Sequence, residues 1–483
     1  MGIFYGRANK LSKVNRFQKN AFPKKIERIE RAVKKIITML VAAAMAFSVT
    51  ACSQESSQTD SSTNSTGTSA KAKIYYLNFK PEIAEVYEEI AKAYQQETGV
   101  ELTVVTAAAG GYEQTLKSEI AKAEPPTIFQ INGPRGYAGW KEYCADLKDT
   151  QLYQHLTDKS LAITDGDGVY GIPNVVEGYG IIYNDAIMQR YFSTPGAKVS
   201  SMEEIRSFET LKEVVEDMTA KKEELGIQGV FASTSLSPGE DWRWHTHLAN
   251  IPLYYEFTEN DIDLSGDGVN TISLQYSRQL QNIFDLYLNN SVTEPKLLGS
   301  KQVADSMAEF ALGQCAMVQN GNWAYSQISQ VDGNTVQAED IKFLPIYTGI
   351  AGEEDQGICI GTENYLAINR KVSQEKQQLS ADFLYWLYSS ETGKDFVVNR
   401  LGFIAPFDTF TPSEQPDDPL AQEVIRWMNT EGVRNIPWDF TIFPNQAFKD
   451  DFGAALLQYA QGSKDWDQVT QTVVTRWTEE FGS

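Results

Sequence analysis

The densest group of chemically capable side chains is the segment Asp241-Trp-Arg-Trp-His-Thr-His247, which holds two tryptophans and two of the chain's three histidines. His245 and His247 stand two residues apart, so in a strand both rings would point to the same side and could hold a metal. No third histidine and no cysteine stands nearby, whereas a zinc site needs at least three protein ligands. The segment indicates either an aromatic binding surface or the start of a helix with half-buried tryptophans. We expect no metal and no cofactor.

Three common sequence motifs of enzymes are missing from the chain. It contains no Gly-x-Ser-x-Gly elbow, no His-Glu-x-x-His pair and no phosphate-binding loop. The segment Asp261-Ile-Asp-Leu-Ser-Gly-Asp-Gly268 gathers oxygen ligands like a calcium loop, but lacks the bidentate glutamate at the twelfth position. Turn chemistry explains its Asp-Gly and Ser-Gly pairs well enough, and whether calcium occupies residues 261–268 stays open. We expect a binding protein rather than an enzyme.

Strands and helices alternate at the start of the predicted folded part. Apolar runs predict strands at 74–79, 101–106 and 127–131, and apolar residues at helical spacing predict helices at 81–98 and 112–123. Three strands separated by two helices within about 60 residues indicate a parallel, doubly wound α/β lobe.

Polar side chains follow the ends of these strands. In a doubly wound sheet, ligands bind beyond the carboxyl ends of the strands. The candidate side chains at these ends are Asn78, Lys80, Glu82, Asn132 and Arg135. Lys80, Glu82 and Arg135 would either bind a ligand or pair with one another.

The C-terminal end is predicted to be helical. Trp466, Val469, Val473 and Trp477 recur at the spacing of one helix face. Both tryptophans are therefore predicted to be core residues, and the same is expected of Trp386.

The charge of the chain excludes one class of partner. Its 483 residues include 64 Asp and Glu against 42 Lys and Arg, a net charge of −22. Residues 1–35 carry about +9, so the rest of the chain carries about −31. Such a surface repels phosphate backbones. Ordinary nucleic-acid binding is therefore excluded, and a soluble monomer is favoured.

A targeting signal is predicted before the folded part. Val49-Thr-Ala-Cys52 closes an uncharged stretch that begins at residue 36 and follows a basic run, which is the order of a secretory signal. The stretch is shorter than the ~20 residues that span a bilayer. Cys52 resembles the lipidated cysteine of a lipobox, and the next 18 residues include 11 Ser or Thr. We assign 1–51 to a signal peptide and 52–71 to the lipidated cysteine with its flexible tether.

Three cysteines remain after Cys52. Cys144, Cys315 and Cys359 form no Cys-x-x-Cys pair and are odd in number, which excludes a disulfide framework. Cys315 and Cys359 could pair if their strands adjoin, but buried free thiols are the better expectation.

Four segments resemble signatures of sugar-binding receptors from ABC importers, and three of them resemble crossings between the two lobes. Tyr170-Gly-Ile-Pro-Asn-Val-Val-Glu-Gly-Tyr-Gly-Ile-Ile-Tyr-Asn184 resembles the first crossing, which ends in a Tyr-Asn pair before a helix. Gly313-Gln-Cys-Ala-Met-Val-Gln-Asn-Gly-Asn-Trp-Ala324 is similar to the strand whose terminal Gly-x-Trp lies against the sugar. Residues 343–347 with 361–369 resemble the return crossing, and 401–406 resemble the last one.

This resemblance is to the maltose-binding-protein-like group of family 1 extracellular sugar-binding lipoproteins. It implies an α/β class and a type II periplasmic-binding-protein fold, in which two doubly wound lobes are joined by a hinge of several crossing segments. By the resemblance, lobe one comprises 72–177 with 358–403, and lobe two comprises 178–357 with 404–483.

A sugar offers apolar C–H faces and hydroxyl edges, so its receptor needs aromatic rings and planar polar groups. The resemblance makes Trp323 the strongest candidate, with an ordinary buried tryptophan as the alternative. The full set of candidate ligand-binding residues is Trp323, Trp242, Trp244, His247, Trp438, Glu177, Asn132, Asn78, Lys80, Glu82, Arg135 and Glu363.

The function implied by the resemblance is that of a lipid-anchored receptor for a carbohydrate, with an oligosaccharide favoured by the number of tryptophans. Its expected partners are a neutral oligosaccharide, the permease subunits of an ABC importer and the membrane that holds its lipid. The expected location is the outer face of the cytoplasmic membrane of a Gram-positive cell. A lipid-anchored glycoside hydrolase and a carbohydrate-binding surface adhesin are the alternatives.

Overall fold

The computed structural model describes residues 73–108, 110–264, 267–362 and 364–481. The predicted signal peptide, Cys52 and the tether lie outside the described residues, and so does Glu363. Within the described ranges, no helix has both the length and the apolar character needed to cross a membrane.

The strands fall into two sheets. In chain order they are β1 (Ile74–Asn78), β2 (Leu102–Thr106), β3 (Ile128–Asn132), β4 (Ile163–Asp165), β5 (Gly168–Pro173), β6 (Glu177–Asn184), β7 (Met317–Gly321), β8 (Ile341–Leu344), β9 (Gln356–Gly361), β10 (Asn364–Ile368) and β11 (Arg434–Ile436).

The first sheet has the order β2-β1-β3-β10-β5-β4. Strands β2, β1 and β3 are parallel, while β10 runs antiparallel to both of its neighbours. The three strands predicted from the apolar runs are therefore confirmed, and so is the parallel arrangement of this part of the sheet.

The second sheet has the order β11-β9-β6-β7, and β8 also pairs with β6. All eight residues of β6 are buried, because three strands pair along its length. The predicted α/β class is confirmed by the two sheets and the helices that flank them.

The chain passes between the sheets at short connections. Three residues join β5 of the first sheet to β6 of the second, and two residues join β9 of the second sheet to β10 of the first. Beside the first connection, the Val176 amide donates a hydrogen bond of 2.9 Å to the Ile404 carbonyl. The stretches of backbone around Val176 and Ile404 therefore run side by side where the two sheets meet.

Helices cover both sheets. The α-helices are α1 (Ala84–Thr98), α2 (Tyr112–Ile120), α3 (Gly133–Trp140), α4 (Gln151–Gln154), α5 (Asp185–Phe192), α6 (Phe208–Ala220), α7 (Lys222–Leu225), α8 (Asn250–Glu259), α9 (Ser277–Asn289), α10 (Val303–Ala311), α11 (Ala324–Ser329), α12 (Gln374–Ser389), α13 (Glu391–Asp395), α14 (Pro419–Met428), α15 (Gln446–Ala460) and α16 (Trp466–Phe481). Arg243–Leu248 forms a π-helical turn, and Asp439–Ile442 forms a 3-10 turn.

The local sequence explains the first helix. Tyr87, Ile90 and Tyr94 of α1 are buried on one face, as the helical spacing predicts. Gly99 ends the helix with a φ of 72°, a left-handed conformation that glycine adopts without the steric cost of a Cβ.

Each sheet has its own hydrophobic core. Ile128 and Phe383 belong to the core beside the first sheet, and Trp466 and Trp477 belong to the core beside the second. Trp466 and Trp477 are buried, which confirms their prediction as core residues. Trp386 is half-buried and packs against the first core, with its ring centroid 5.1 Å from that of Tyr94.

The three described cysteines, Cys144, Cys315 and Cys359, are free and buried. The prediction of buried thiols is therefore confirmed.

Candidate functional site

A cavity of about 600 Å³ lies beyond the carboxyl ends of β1 and β3 and is enclosed by two walls. The first wall consists of the lining residues between 79 and 140, and the second wall consists of those between 239 and 449. The aromatic lining residues are Phe79, Tyr112, Trp140, Trp242, His245, His247, Trp323, Phe440 and Phe443. The charged lining residues are Lys80, Glu82, Glu113, Lys117, Arg135, Glu240, Asp241, Arg243 and Lys449.

The two sides of the cavity touch at glycines. A Cβ on Gly110 would lie 2.9 Å from the Gly239 Cα, and one on Gly133 would lie 2.5 Å from the Thr441 Cβ. Gly110 and Gly133 also have φ values of 68° and 62°, in the region that favours glycine. Larger residues at these positions would push the walls apart.

Trp323 occupies the position predicted from the Gly-x-Trp pattern. Its ring lies over Gly321 at the end of β7, where a Cβ would come within 2.2 Å of the indole. Between them, Asn322 holds the turn to β6, because its amide donates to the Gly178 carbonyl (3.0 Å) and its Oδ1 accepts from the Gly178 amide (2.9 Å). The half-buried Trp323 ring thus has a flat and fixed seat beside the cavity.

Trp438 has an equivalent seat in the same sheet, two strands away from β7. A Cβ on Gly361, at the end of β9, would lie 2.6 Å from its ring. Trp438 is buried behind the second wall, with its ring centroid 6.3 Å from that of Trp323 and 5.1 Å from that of Phe440. It supports the rings that line the cavity and is not itself a lining residue.

The segment 241–247 divides its two tryptophans between the cavity and the core. The half-buried Trp242 directly precedes the π-helical turn and faces the cavity, and the Arg243 guanidinium lies 4.0 Å from the centre of its ring. Trp244 turns away from the cavity, donates from Nε1 to the Ser235 carbonyl (3.0 Å) and packs against Tyr287. Of the two predicted tryptophans, only Trp242 lines the site.

His247 lines the cavity and is surrounded by aromatic rings. Its ring centroid lies 4.2 Å from that of Phe440, 4.6 Å from that of Tyr179 and 4.7 Å from that of Trp242. Burial, and after it the charge of Arg243, lowers the pKa of His247 well below its ordinary value of 6.5. The imidazole is therefore neutral at physiological pH.

A buried ion pair joins the first wall to the connection between the sheets. Lys80 Nζ lies 2.6 Å from Glu177 Oε1 and 3.9 Å from Glu82 Oε1, and 5.4 Å from the centre of the Trp323 ring. Burial raises the pKa of the Glu177 carboxyl, and the charge of Lys80 opposes that shift. Lys80 and Glu82 line the cavity, whereas Glu177 stands behind them.

The other predicted polar residues have different placements. Asn78 is buried and fixes the turn to Lys80, donating from Nδ2 to the Lys80 carbonyl (2.8 Å) and accepting the Lys80 amide on Oδ1 (3.2 Å). It does not line the cavity, whereas Asn132 and Arg135 do. The Arg135 guanidinium also lies 4.2 Å above the Phe481 ring.

Several lining residues were not among the candidates. Phe79 directly follows β1, whereas the apolar run placed it inside the predicted strand at 74–79. Trp140 ends α3, and Phe440 lies in the 3-10 turn Asp439–Ile442. No local sequence pattern predicts that their side chains face the cavity, because this depends on the elements that pack beside them.

The arrangement is suited to holding a solute. Half-buried indole rings face the cavity, with amide, guanidinium and carboxylate groups beside them. Among the residues that the structure describes, no three His, Cys, Asp or Glu side chains come together in a metal-binding group.

Comparison with known proteins places the chain in a family. The model of the family described as bacterial extracellular solute-binding protein matches residues 89–423. The comparison with curated protein sequences gave no match.

Many solved structures share the fold. A chitin oligosaccharide binding protein is 16% identical, with a TM-score of 0.65 over 86% of this chain and 100% of that one. RafE in complex with raffinose is 18% identical, with a TM-score of 0.63 over 85% of this chain and 100% of that one. A sugar transporter from Bacillus licheniformis in complex with stachyose is 15% identical, with a TM-score of 0.61 over 84% of this chain and 100% of that one.

These similarities confirm the predicted periplasmic-binding-protein fold. The family match covers more than half of the chain and is to proteins that bind solutes outside the cell without converting them. The chain therefore belongs to the bacterial extracellular solute-binding proteins and is a binding protein, not an enzyme.

Proposed function

We propose that this protein binds a neutral oligosaccharide in the cavity and delivers it to the permease subunits of an ABC importer. The observation that carries this proposal is the set of rings on the second wall. Trp242, Trp323 and Phe440 line one side of a cavity of about 600 Å³, a volume within the range of ligand pockets. Indole rings cover the apolar faces of sugars, and the polar groups beside them pair with hydroxyls.

Paired charges in the cavity favour a neutral solute. Lys80 is matched by Glu177 and Glu82. Arg243 Nη1 lies 3.7 Å from Glu240 Oε2, and Arg243 Nε donates to Asn320 Oδ1 at 3.1 Å. A charged sugar would disturb these pairs, because separating a buried pair costs several kcal/mol in typical proteins.

The names of solved relatives support the same solute class. They include a chitin oligosaccharide binding protein and structures in complex with raffinose and stachyose. These are neutral oligosaccharides of different linkage, so they favour the class without selecting one member of it.

Two lobes that close on the solute are part of this proposal. Lobe one would comprise 72–177 with 358–403, and lobe two would comprise 178–357 with 404–483. The short connections between the sheets suit a hinge, and the contacts of Gly110 with Gly239 and of Gly133 with Thr441 suit a closed state. Closure would remove the sugar from water and present a surface to the permease.

The anchor is the last part of the proposal. A lipid on Cys52, followed by a tether rich in serine and threonine, would hold a monomer at the outer face of the cytoplasmic membrane of a Gram-positive cell. Substituting Cys52 by alanine should abolish incorporation of labelled palmitate and release the protein into the medium. Unchanged labelling would contradict the anchor.

Solute binding is tested on residues 72–483. Raffinose, stachyose, maltotriose and chitotriose are added separately while tryptophan fluorescence and thermal unfolding are recorded. A sugar at a hundred times its Kd should raise the free energy of unfolding by about 2.7 kcal/mol, and it should be recovered intact. No effect of any neutral sugar, together with binding of a charged solute, would reject the proposal.

A further inference from the structure

Arg135 stands at a position that its own helix does not favour. Asn132 ends β3 and Gly133-Pro134 begins α3, so Arg135 lies in the first turn of that helix. The N-terminal end of a helix carries a partial positive charge, which disfavours a cation there. The eight residues of α3 include no Asp or Glu, so the helix supplies no charge that would pair with the guanidinium.

The contact of Arg135 lies on a distant element. The central carbon of its guanidinium is 4.2 Å from the centre of the ring of Phe481, the last residue of α16. Phe481 packs against the core beside the second sheet, and its ring stacks on that of Trp477 with the centroids 5.5 Å apart. No carboxylate in the described ranges forms an ion pair with Arg135. Its half-buried charge therefore faces the π-electrons of the Phe481 ring.

This contact connects the first wall to the other side of the cavity. Arg135 is a lining residue of the first wall, whereas α16 belongs to the core beside the second sheet. Two residues before Arg135, Gly133 lies so close to Thr441 of the second wall that a Cβ would be 2.5 Å from the Thr441 Cβ. The first turn of α3 thus meets the opposite side at two points, one a close backbone approach and the other a cation–π contact.

We propose that Arg135 and Phe481 form a clasp, a contact that fastens the first wall to the opposite side once a solute is enclosed and so slows the release of that solute. The clasp rests on the proposed function, because it requires two lobes that close, and it goes beyond it by naming a contact that holds the closed state. By the proposed boundaries Arg135 belongs to lobe one and Phe481 to lobe two, so opening would separate them. A contact made only in the closed state stabilises that state whichever sugar is enclosed.

A clasp differs in its consequences from a direct contact between Arg135 and the solute. Arg135 lines the cavity, whereas Phe481 does not. If the guanidinium bound the sugar directly, its removal would weaken the binding of some sugars more than that of others. The clasp predicts the same factor for every sugar, because the interaction that is lost joins two groups of the protein. It also predicts that removing the Phe481 ring has the same effect as removing the charge.

The first test is the rate of sugar release, measured by stopped-flow tryptophan fluorescence for each sugar that raises the Tm. R135Q removes the charge, and F481L removes the ring and keeps an apolar side chain. Each should raise the release rate between about twofold and thirtyfold. R135K keeps a cation and should release sugar more slowly than R135Q. The double variant R135Q/F481L should release sugar no faster than the single variants, because either change already removes the whole contact.

The matched control is R278Q. Arg278 Nη2 lies 2.9 Å from Oδ1 of Asp467 in the first turn of the same helix, α16, so this variant also removes an arginine contact to α16. Arg278 stands on α9, which packs on the same core as α16, and its release rate should equal that of the parent protein. Thermal unfolding without sugar shows whether each variant folds. If F481L does not fold, R135Q and R135K provide the test.

The second test observes the contact itself. 4-Fluorophenylalanine is placed at position 481 alone, and its ¹⁹F signal is recorded with and without sugar. The signal should move when a sugar binds, because the guanidinium reaches the ring on closure. R135Q should abolish this movement, whereas R278Q should preserve it.

The outcomes separate the clasp from the proposed function. If R135Q and F481L release a bound sugar at the parent rate, or if the ¹⁹F signal does not move on binding, the clasp is wrong while sugar binding stands. Different factors for different sugars in R135Q, together with parent behaviour of F481L, would identify Arg135 as a direct sugar ligand and overturn the clasp. If no sugar raises the Tm, the proposed function fails and the clasp fails with it.

Discussion

The two walls of the cavity use their polar atoms differently. In the first wall, Tyr112 donates from its hydroxyl to the Leu77 carbonyl (3.3 Å) and accepts the Gln130 amide (2.7 Å), and Trp140 Nε1 donates to Glu113 (3.1 Å). Behind and within the second wall, Trp438 Nε1 and His247 Nε2 are buried without partners in the described residues. These polar atoms of the first wall are bonded within the protein, whereas the second wall carries six of the nine aromatic residues that line the cavity.

This difference predicts that changes to side chains bonded within the first wall act mainly on stability and that changes in the second wall act mainly on affinity. Three variants test the comparison, and a fourth tests how stability beside the second wall depends on pH.

The largest effect is expected from K80M on the stability of the solute-free protein. The substitution leaves the Glu177 carboxyl buried without the cation that lies 2.6 Å from it. Removing one partner of a buried ion pair costs about 3–5 kcal/mol, which urea unfolding would measure. The double variant K80M/E177Q should recover much of that loss, and a loss below about 1 kcal/mol for K80M would contradict a structural role.

The second effect is expected from W323A on affinity. The Trp323 ring lies between the cavity and Trp438. Without it, binding of the sugar that raises the Tm should weaken by about 2 kcal/mol or more, at least 30-fold. G321A should cause part of this loss, because its Cβ would meet the ring at 2.2 Å. G111A is the matched control, since its nearest contact would be an ordinary 3.4 Å. Unchanged affinity of W323A would remove the second wall from sugar binding.

The third effect is the pH dependence caused by Asp439, which precedes Phe440 of the second wall. Burial raises its pKa to about 7, above the ~3.9 of an unfolded chain. The folded protein then binds the proton more tightly than the unfolded one, so this group lowers stability as pH rises from about 4 to 7.

The variant D439N should therefore unfold at higher urea concentration than the parent protein at pH 8. We expect a gain of about 2 kcal/mol, which is roughly half of what the full shift would give. The gain should disappear near pH 4. A gain that is equal at both pH values would show that ionisation is not its cause.

The smallest effect on affinity is expected from W140F. It removes the bond between Trp140 Nε1 and Glu113 and keeps the ring in the first wall. Binding should weaken by less than about 1 kcal/mol, while the free energy of unfolding falls by a similar amount. A loss of affinity as large as that of W323A would show that the two walls contribute alike.

Part of the fold could be predicted because apolar runs and helical spacing are properties of short stretches of sequence. The apolar runs of β1, β2 and β3, the helical spacing in α1 and the stripe of α16 each fall within a few residues of the expected bounds. The crossings between the sheets were found only through their resemblance to a family, because no local periodicity marks a hinge.

The site was predicted less completely. Lys80, Asn132, Trp242 and Trp323 line the cavity as expected, because each follows a strand end or a recognisable pattern. Glu177, Asn78, Trp244 and Trp438 lie behind the lining residues or away from them. Their types suited a sugar site, but the direction of each side chain depends on elements distant in the chain.

The sequence by itself determined the order of the first three strands and the two helices between them, the resemblance to the family and the Gly-x-Trp seat of Trp323. These depend on local spacing and on residues a few positions apart. The tertiary structure alone decided that Trp242 faces the cavity while Trp244, two residues later, is core. It also decided that His247 and Trp438, almost 200 residues apart, lie side by side. The physical reason is that a side chain's exposure and partners are set by what packs around it, and that packing joins segments whose separation in the sequence gives no sign of their contact.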